Sequence, residues 1–208
     1  MSDVLKDFNQ INSLQVFKDI TGIVLAGGKS LRYGSNKALA KKDGVPLIEL
    51  VINRIKNIFQ DLVIITNTPE LYAYLNYPMY EDFIKGLGPL AGIHTALSNI
   101  DNGAGFFVGC DMPFLNRGLI RYMCENRGSN DVVVPRISSH IETLHAIYSK
   151  KCLLPIKKLI DSQEYQVRRF FSEVNVLYIK EKEVKLFDPE LKSFININRP
   201  QDWRRLRN

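Results

Sequence analysis

Four separated groups of polar residues in this chain could together hold a phosphate and help to transfer it. The first is Gly27-Gly-Lys-Ser-Leu-Arg-Tyr-Gly-Ser-Asn-Lys37, where Lys29, Arg32 and Lys37 fall within nine residues of one another. Glycines let a backbone pass close to a ligand and present its N–H groups. Lysine and arginine spaced along such a loop suit a polyphosphate. The second is Asp111, in Val108-Gly-Cys-Asp-Met-Pro-Phe114. A carboxylate just past an apolar run can hold Mg²⁺, a hard cation that takes few protein oxygens and completes its shell with phosphate and water. The third and fourth are Asn67, and Asp82 with the Gly86-Leu-Gly-Pro-Leu-Ala-Gly92 segment beyond it. A plain strand-to-helix turn also uses glycines, and a lone Asp often caps a helix. Three cations on one short loop, together with the convergence of four segments, favour a nucleoside triphosphate site.

Two familiar phosphate loops are excluded. A P-loop needs Gly-x-x-x-x-Gly-Lys-[Ser/Thr], but Ser35-Asn36 follows Gly34. A dinucleotide fingerprint needs Gly-x-Gly-x-x-Gly straight after the strand, and here the first two glycines are adjacent. No His-Glu-x-x-His, Cys-x-x-Cys or Gly-x-Ser-x-Gly occurs. His94, His140 and His145 read as packing or surface residues, and Cys110, Cys124 and Cys152 as buried free thiols.

The elements that must position these groups follow from pattern. Short apolar runs at Ile20–Ala26, Leu62–Ile65, Gly105–Cys110 and Val132–Val134 predict buried strands. Helical spacing covers Pro46–Phe59, Pro89–Ile100 and Asn116–Glu125, with a short helix at Pro69–Leu75. Strand alternating with helix predicts an α/β fold: a Rossmann-like, mostly parallel sheet flanked by helices on both faces. Ligands of such sheets bind beyond the carboxyl ends of the strands, where the first loop, Asn67 and Asp111 fall. Beyond residue 140 the chain reads as strand at Thr143–Tyr148, helix at Cys152–Ile160, strand at Val174–Ile179 and a last short strand at Ser193–Ile197. No linker divides the chain. One domain over 1–208 is expected, with a nucleotide-binding half at 19–134 and a second-substrate half at 135–208.

The net charge is +6, and all of the excess lies in the second half. Residues 1–104 carry ten basic and ten acidic side chains, whereas residues 105–208 carry 18 and 12. A basic half can serve an anionic partner. Nucleic acid is not expected, because no aromatic–basic stripe or nucleic-acid motif appears. No apolar run approaches the roughly 20 residues that span a bilayer, and the N-terminus lacks a signal-peptide pattern. A cytoplasmic protein without membrane contact is expected.

Leu25-Ala-Gly-Gly-Lys-Ser-Leu-Arg-Tyr-Gly-Ser-Asn-Lys37 resembles the Leu-Ala-Gly-Gly-x-Ser-x-Arg-Met-Gly-x-Asp-Lys signature of sugar- and cofactor-nucleotidyltransferases. Gly88-Pro-Leu-Ala-Gly-Ile93, Cys110-Asp-Met-Pro-Phe-Leu115, Glu142-Thr-Leu-His-Ala-Ile-Tyr148 and Phe194-Ile-Asn-Ile-Asn-Arg-Pro200 narrow it. Together they are similar to the molybdenum cofactor guanylyltransferase family, over about residues 20–203. The resemblance implies a fold of the nucleotide-diphospho-sugar transferase type. It implies Mg²⁺-dependent transfer of GMP from GTP to the terminal phosphate of molybdopterin, with release of pyrophosphate. Leu25, Ala26 and Gly27 would contact GTP through the backbone, and Lys37 would meet its phosphates. Asn67 and Asp82 would bind the nucleotide, and Asp111 both nucleotide and metal. Asn196 and Asn198 would lie near the pterin or the catalytic centre. Arg32 and Lys37 would stabilise the departing pyrophosphate, and Arg168 and Arg169 could hold the anionic pterin. Cofactor-insertion proteins or apo-molybdoenzymes would receive the product. Asn36 replaces the usual Asp before the lysine; if that Asp orients Arg32 or Lys37, the neutral amide does so more weakly. A related cytidylyltransferase or sugar-phosphate nucleotidyltransferase, or a non-catalytic GTP-binding protein that delivers cofactor, would fit the same first loop.

Overall fold

A computed structural model of the chain describes residues 15–27, 36–83, 87–198 and 202–205. Three neighbouring strands form its centre: β1 (Ile20–Leu25), β4 (Leu62–Ile65) and β6 (Ala104–Gly109). β1 pairs in parallel with both of the others, Gly22 opposite Leu62 and Ile20 opposite Ala104. The short strand β5 (Met79–Tyr80) extends this parallel group beyond β4. On the other side of β6 lies β9 (His145–Ser149), which runs antiparallel. Next come β7 (Val132–Ile137), antiparallel to β9, and β10 (Val176–Lys180), parallel to β7. A two-residue strand β8 (His140–Ile141) folds back on β7. Among the described residues this makes a mixed, mostly parallel sheet in the order β10-β7-β9-β6-β1-β4-β5. A separate hairpin, β2 (Lys41–Lys42) with β3 (Val45–Pro46), follows the first loop.

Successive strand side chains point to opposite faces, and the apolar runs therefore feed two cores. Val24, Ile64, Phe106, Val108, Val133 and Ile147 face one layer of helices: α1 (Leu47–Ile55), α3 (Arg117–Glu125) and α5 (Glu181–Phe187). Ile23, Val63, Phe107, Val132, Val134 and Tyr148 face α2 (Pro89–Asn99), α4 (Leu153–Asp161) and the 3-10 segment Val167–Glu173. The strands are thus apolar throughout because both faces are covered. α1 shows how a helix joins this arrangement. Leu47, Ile48, Val51, Ile52 and Ile55 are buried at three- and four-residue spacing, and each contributes roughly 1.5–3 kcal/mol by leaving water. The helix stops at Ile55, not Phe59, and Pro46 is the last residue of β3 rather than part of the first turn. α2 starts at Pro89 after Gly88, whose φ of 67° suits glycine. Asn116 caps α3, accepting from Leu119 N at 3.0 Å. Pro69–Leu75, expected as one helix, is two 3-10 turns closed by Asn76 at φ 56°.

The segment expected as a strand at Ser193–Ile197 is not one. It is a 3-10 turn, Lys192–Phe194, followed by extended chain outside the sheet. Its backbone polar groups find partners elsewhere. The Asp188 carboxylate accepts from Lys192 N at 3.0 Å and Ser193 N at 2.7 Å. Ser193 Oγ accepts from Asn116 N at 2.9 Å, and Asn116 Nδ2 donates to Phe187 O at 2.7 Å. The tail is thereby fixed to the start of α3. Ile197 is fully buried and its N–H donates to Asp111 O at 2.9 Å.

His145 lies between the sheet and this tail. Its ring meets Phe106 and Phe194 edge-on, with centroids 5.3 and 5.2 Å away. It is fully buried, and neither ring nitrogen has a hydrogen-bond partner among the described residues. Burial pushes the imidazole pKa down to about 3, with the Asp188 charge offsetting part of the effect. Above the unfolded value of 6.5 both states are neutral and nothing is lost. Below it the unfolded chain takes up a proton that the folded chain refuses, so stability falls as pH drops from 6.5 towards 3, by at most about 1.4 kcal/mol per pH unit. Urea unfolding at pH 7 and pH 5 measures this. His145→Leu should lose about 2 kcal/mol less between the two than the parent chain; equal losses would rule out His145 as the source.

Candidate active site

β1 delivers its end to the middle of the sheet edge. Ala26 N donates to Ile65 O at 2.8 Å, and Cys110 N donates to Leu25 O at 3.1 Å. The chain is therefore held to both neighbouring strands until Gly27, which is exposed. Residues 28–35 lie outside the described residues, so the roles expected of Lys29, Arg32 and the glycines with them, Gly28 and Gly34, do too.

The loop returns at Asn36, which opens the 3-10 turn Lys37–Leu39. Asn36 Oδ1 accepts from Ala38 N at 3.1 Å and from the Tyr72 hydroxyl at 3.0 Å. Burial pushes the Tyr72 phenol up to about 12, so it stays a donor. Among the described residues only acceptor capacity is used at Asn36, and an amide oxygen supplies it as a carboxylate does. Asn36 thus caps the turn that carries the next side chain. That side chain is Lys37. Its Nζ donates to Asp111 Oδ2 and to Asn198 Oδ1, each at 2.6 Å. Three segments distant in sequence meet at one ammonium group.

Asp111 follows β6 after one intervening residue. A Cβ added at Gly109 would lie 2.6 Å from Asp111 Oδ1, so the carboxylate folds back into space that only glycine leaves. On the other side of β1, Asn67 follows β4 and Asp82 follows β5. Their amide and carboxylate pair reciprocally: Asn67 Nδ2 donates to Asp82 Oδ2 at 3.0 Å, and Asp82 N donates to Asn67 Oδ1 at 3.1 Å. Asp82 is close to the exposed strand end, with Oδ2 3.9 Å from where a Gly27 Cβ would stand. Phe83 N donates to Thr95 Oγ1 at 3.2 Å and ties this segment to α2. The end of β1 thus has a carboxylate–amide pair on one flank and a lysine–carboxylate–amide cluster on the other.

Among the described residues no three His, Cys, Asp or Glu side chains group as a metal cage. Mg²⁺ bound with a nucleotide needs less, because it commonly takes one or two carboxylates plus phosphate oxygens. Asp111, with the neutral oxygen of Asn198 beside it, fits that donor chemistry. The cysteines do not contribute a nucleophile. Burial pushes the thiols of Cys110 and Cys152 up to about 12 and that of Cys124 higher, so all three stay protonated.

Asn196 is exposed on the same tail as Asn198. Arg168 and Arg169 are not brought to this cluster. They lie on the 3-10 segment Val167–Glu173, which leads into the start of β10. There Asn175 N donates to Asp131 Oδ2, just ahead of β7 and at the strand end opposite Asp111. Arg169 pairs with Glu164 at 3.5 Å in an exposed contact. Overall charge imbalance located a basic half but could not say which end of the sheet its cations occupy. The supports from Tyr72 and Gly109 were not foreseen. Gly109 had a faint signal, a glycine between an apolar run and an Asp; Tyr72 had none.

The sequence model for the MobA-like NTP transferase domain matches residues 22–177. A probable molybdenum cofactor guanylyltransferase of Natranaerobius thermophilus is 35% identical over 195 residues, covering 91% of this chain and 95% of that one. A molybdenum cofactor guanylyltransferase of Desulfosudis oleivorans is 35% identical over 185 residues, covering 88% and 92%. The crystal structure of molybdopterin-guanine dinucleotide biosynthesis protein A from Archaeoglobus fulgidus superposes with a TM-score of 0.78 at 28% identity, covering 89% of this chain and 96% of that chain.

The Asn36 cap separates acceptor from charge. Asn36→Ala should cost about 2 kcal/mol in urea unfolding, because it removes the cap and leaves the Tyr72 hydroxyl without its acceptor. Asn36→Asp should stay within about 0.5 kcal/mol of the parent, since both oxygens can accept. Equal losses in the two variants would contradict the cap.

Proposed function

We propose that this chain, which belongs to the MobA-like NTP transferase family, transfers GMP from GTP to the terminal phosphate of molybdopterin and releases pyrophosphate. The Lys37–Asp111–Asn198 cluster beyond the ends of β1 and β6 is the observation that carries the reading. It supplies a cation, a carboxylate and a neutral oxygen donor beside an exposed glycine backbone, as in-line attack at a phosphate requires.

We assign the guanine to the Asp82–Asn67 flank. Guanine presents N1–H and N2–H₂ donors side by side, and a carboxylate can accept both. Cytosine presents only one amino donor on that edge, which is why GTP is favoured over CTP. The ribose and α-phosphate would then pass over Leu25, Ala26 and Gly27. The triphosphate would reach Lys37, whose ammonium suits a phosphate as a point charge. The nucleophile is a phosphate oxygen of molybdopterin, already ionised near neutral pH, so no general base is needed. Its lone pair forms the new bond to the α-phosphorus of GTP. The bond from that phosphorus to the bridging oxygen breaks, and pyrophosphate departs with the electron pair. Lys37 neutralises the leaving charge, and Asn198 holds the ammonium in place. Asp111 would hold Mg²⁺, which when bound supplies Lewis-acid polarisation of the phosphate oxygens. Most of the rate would come from positioning and charge neutralisation. We place the enzyme in the cytoplasm, with its product passing to cofactor-insertion proteins or apo-molybdoenzymes.

Pyrophosphate release from GTP plus molybdopterin tests the reading. ATP, CTP and UTP should each give far less, and comparable release with CTP would overturn the guanine assignment. Asp111→Asn should lower the turnover number by about 100-fold or more; near-normal turnover would remove Asp111 from the chemistry. Lys37→Ala should weaken GTP binding by about tenfold or more, while guanosine binding changes little. Equal weakening of both would contradict the phosphate contact.

A further inference from the structure

Each of the three segments that meet at Lys37 Nζ continues into a second cluster. Lys42 follows Lys37 on the hairpin strand β2, Phe114 follows Asp111, and Trp203 follows Asn198 on the short helix α6 (Asp202–Arg205). Asn198 N donates to Asp202 Oδ2 at 2.7 Å, so the tail cluster and α6 are joined directly. The three side chains meet again here. Lys42 Nζ lies 4.9 Å from the centre of the Trp203 ring and 5.5 Å from that of Phe114. The two rings stand edge to face, 5.8 Å apart. Arg54 of α1 and Arg117 of α3 complete the wall, with Arg117 Nε donating to Arg54 O at 3.1 Å. Together with Pro113 these residues line a cavity of about 280 Å³.

Among the described residues, the charged groups lining the cavity are Lys42, Arg54 and Arg117, all cationic. Two aromatic rings, set edge to face, supply apolar surface. Cations and aromatic rings suit a ligand that is anionic and carries a planar ring. Acidic peptide would satisfy the charge but not the rings.

We propose that this cavity is the acceptor pocket: it holds the ring-bearing, anionic body of the pterin phosphate, whose terminal phosphate reaches Asp111 along the shared segments. The proposal rests on the guanylyl-transfer reading and names where its second substrate sits. It gives to Lys42, Arg54 and Arg117 the anion contact first sought at Arg168 and Arg169. It also makes the hairpin that follows the nucleotide loop part of the acceptor site.

Trp203 is the one tryptophan of the chain, so its emission reports on this cavity. The full chain is titrated with molybdopterin in the absence of GTP. A saturable change in emission is expected. Lys42→Ala should weaken that titration about tenfold and raise the KM for molybdopterin to match, with the KM for GTP within about twofold. Lys42→Arg, which keeps the charge, should restore most of the affinity. No emission change, or an unchanged molybdopterin KM in Lys42→Ala, overturns the proposal. An equal change with inorganic phosphate alone, or a change with poly-glutamate and none with molybdopterin, also overturns it, pointing to a simple anion site or an acidic protein partner. The titration needs no turnover. A wild-type chain that binds molybdopterin at Trp203 but releases no pyrophosphate would refute the transfer reaction and leave the pocket standing.

Discussion

One ammonium group carries the architecture of the site. Lys37 Nζ is shared between a carboxylate at the end of β6 and an amide oxygen on the C-terminal tail, at 2.6 Å from each. Both lysine and aspartate are largely shielded from solvent, with side-chain exposures of 16% and 23%. Their attraction is therefore less screened than that of a surface pair. An unpaired charge there would be expensive, and each partner needs the other in place. Much of the surrounding structure is arranged to bring them together. β1 aims the loop, Asn36 and Tyr72 set the turn that carries Lys37, Gly109 leaves room for Asp111, and the Asp188–Asn116–Ser193 network brings back the tail with Asn198.

The same constraint suits the chemistry. A lysine held between an aspartate and an asparagine is fixed in direction before a nucleotide arrives. A triphosphate offers that ammonium stronger acceptors than an amide, and a divalent cation offers Asp111 a partner in its place. On the proposed reading, the site would exchange its internal ion pair for contacts with the substrate phosphates and a divalent cation. Preorganisation of this kind is where phosphate transfer gains most of its rate.

The strands and most of the helices were legible because both periodicities are strong. β1, β4, β6 and β7 are short apolar runs in a sheet covered on both faces, and α1, α2 and α3 bury regular stripes. The failures have physical causes. Ser193–Ile197 looks like a strand by composition, yet its backbone N–H groups donate to Asp188 and Asp111 and its Ser193 hydroxyl accepts from Asn116, rather than pairing with a neighbouring strand. β5 is a two-residue strand whose partner β4 lies elsewhere in the fold, and β2, β3 and β8 sit in local hairpins whose strands are too short to show an alternating pattern. Charge counting pointed to Arg168 and Arg169, but those side chains belong to the far end of the sheet.

Gly27, Lys37, Asn67, Asp82 and Asp111 stood out in the sequence as candidates, because strand ends, glycines and isolated polar residues mark positions that a buried parallel sheet leaves free for ligands, whereas Leu25 and Ala26 entered only through the family resemblance. Their type fixed the chemistry they could do: phosphate, hard cation and base edge. Which of them touch was decided only by the tertiary structure. Lys37 and Asn198 are 161 residues apart, and Lys42, Phe114 and Trp203 come from three segments with no common motif. Contact between such residues depends on how two helical layers and a returning tail pack around the sheet, and that packing is a property of the whole chain rather than of any window of it.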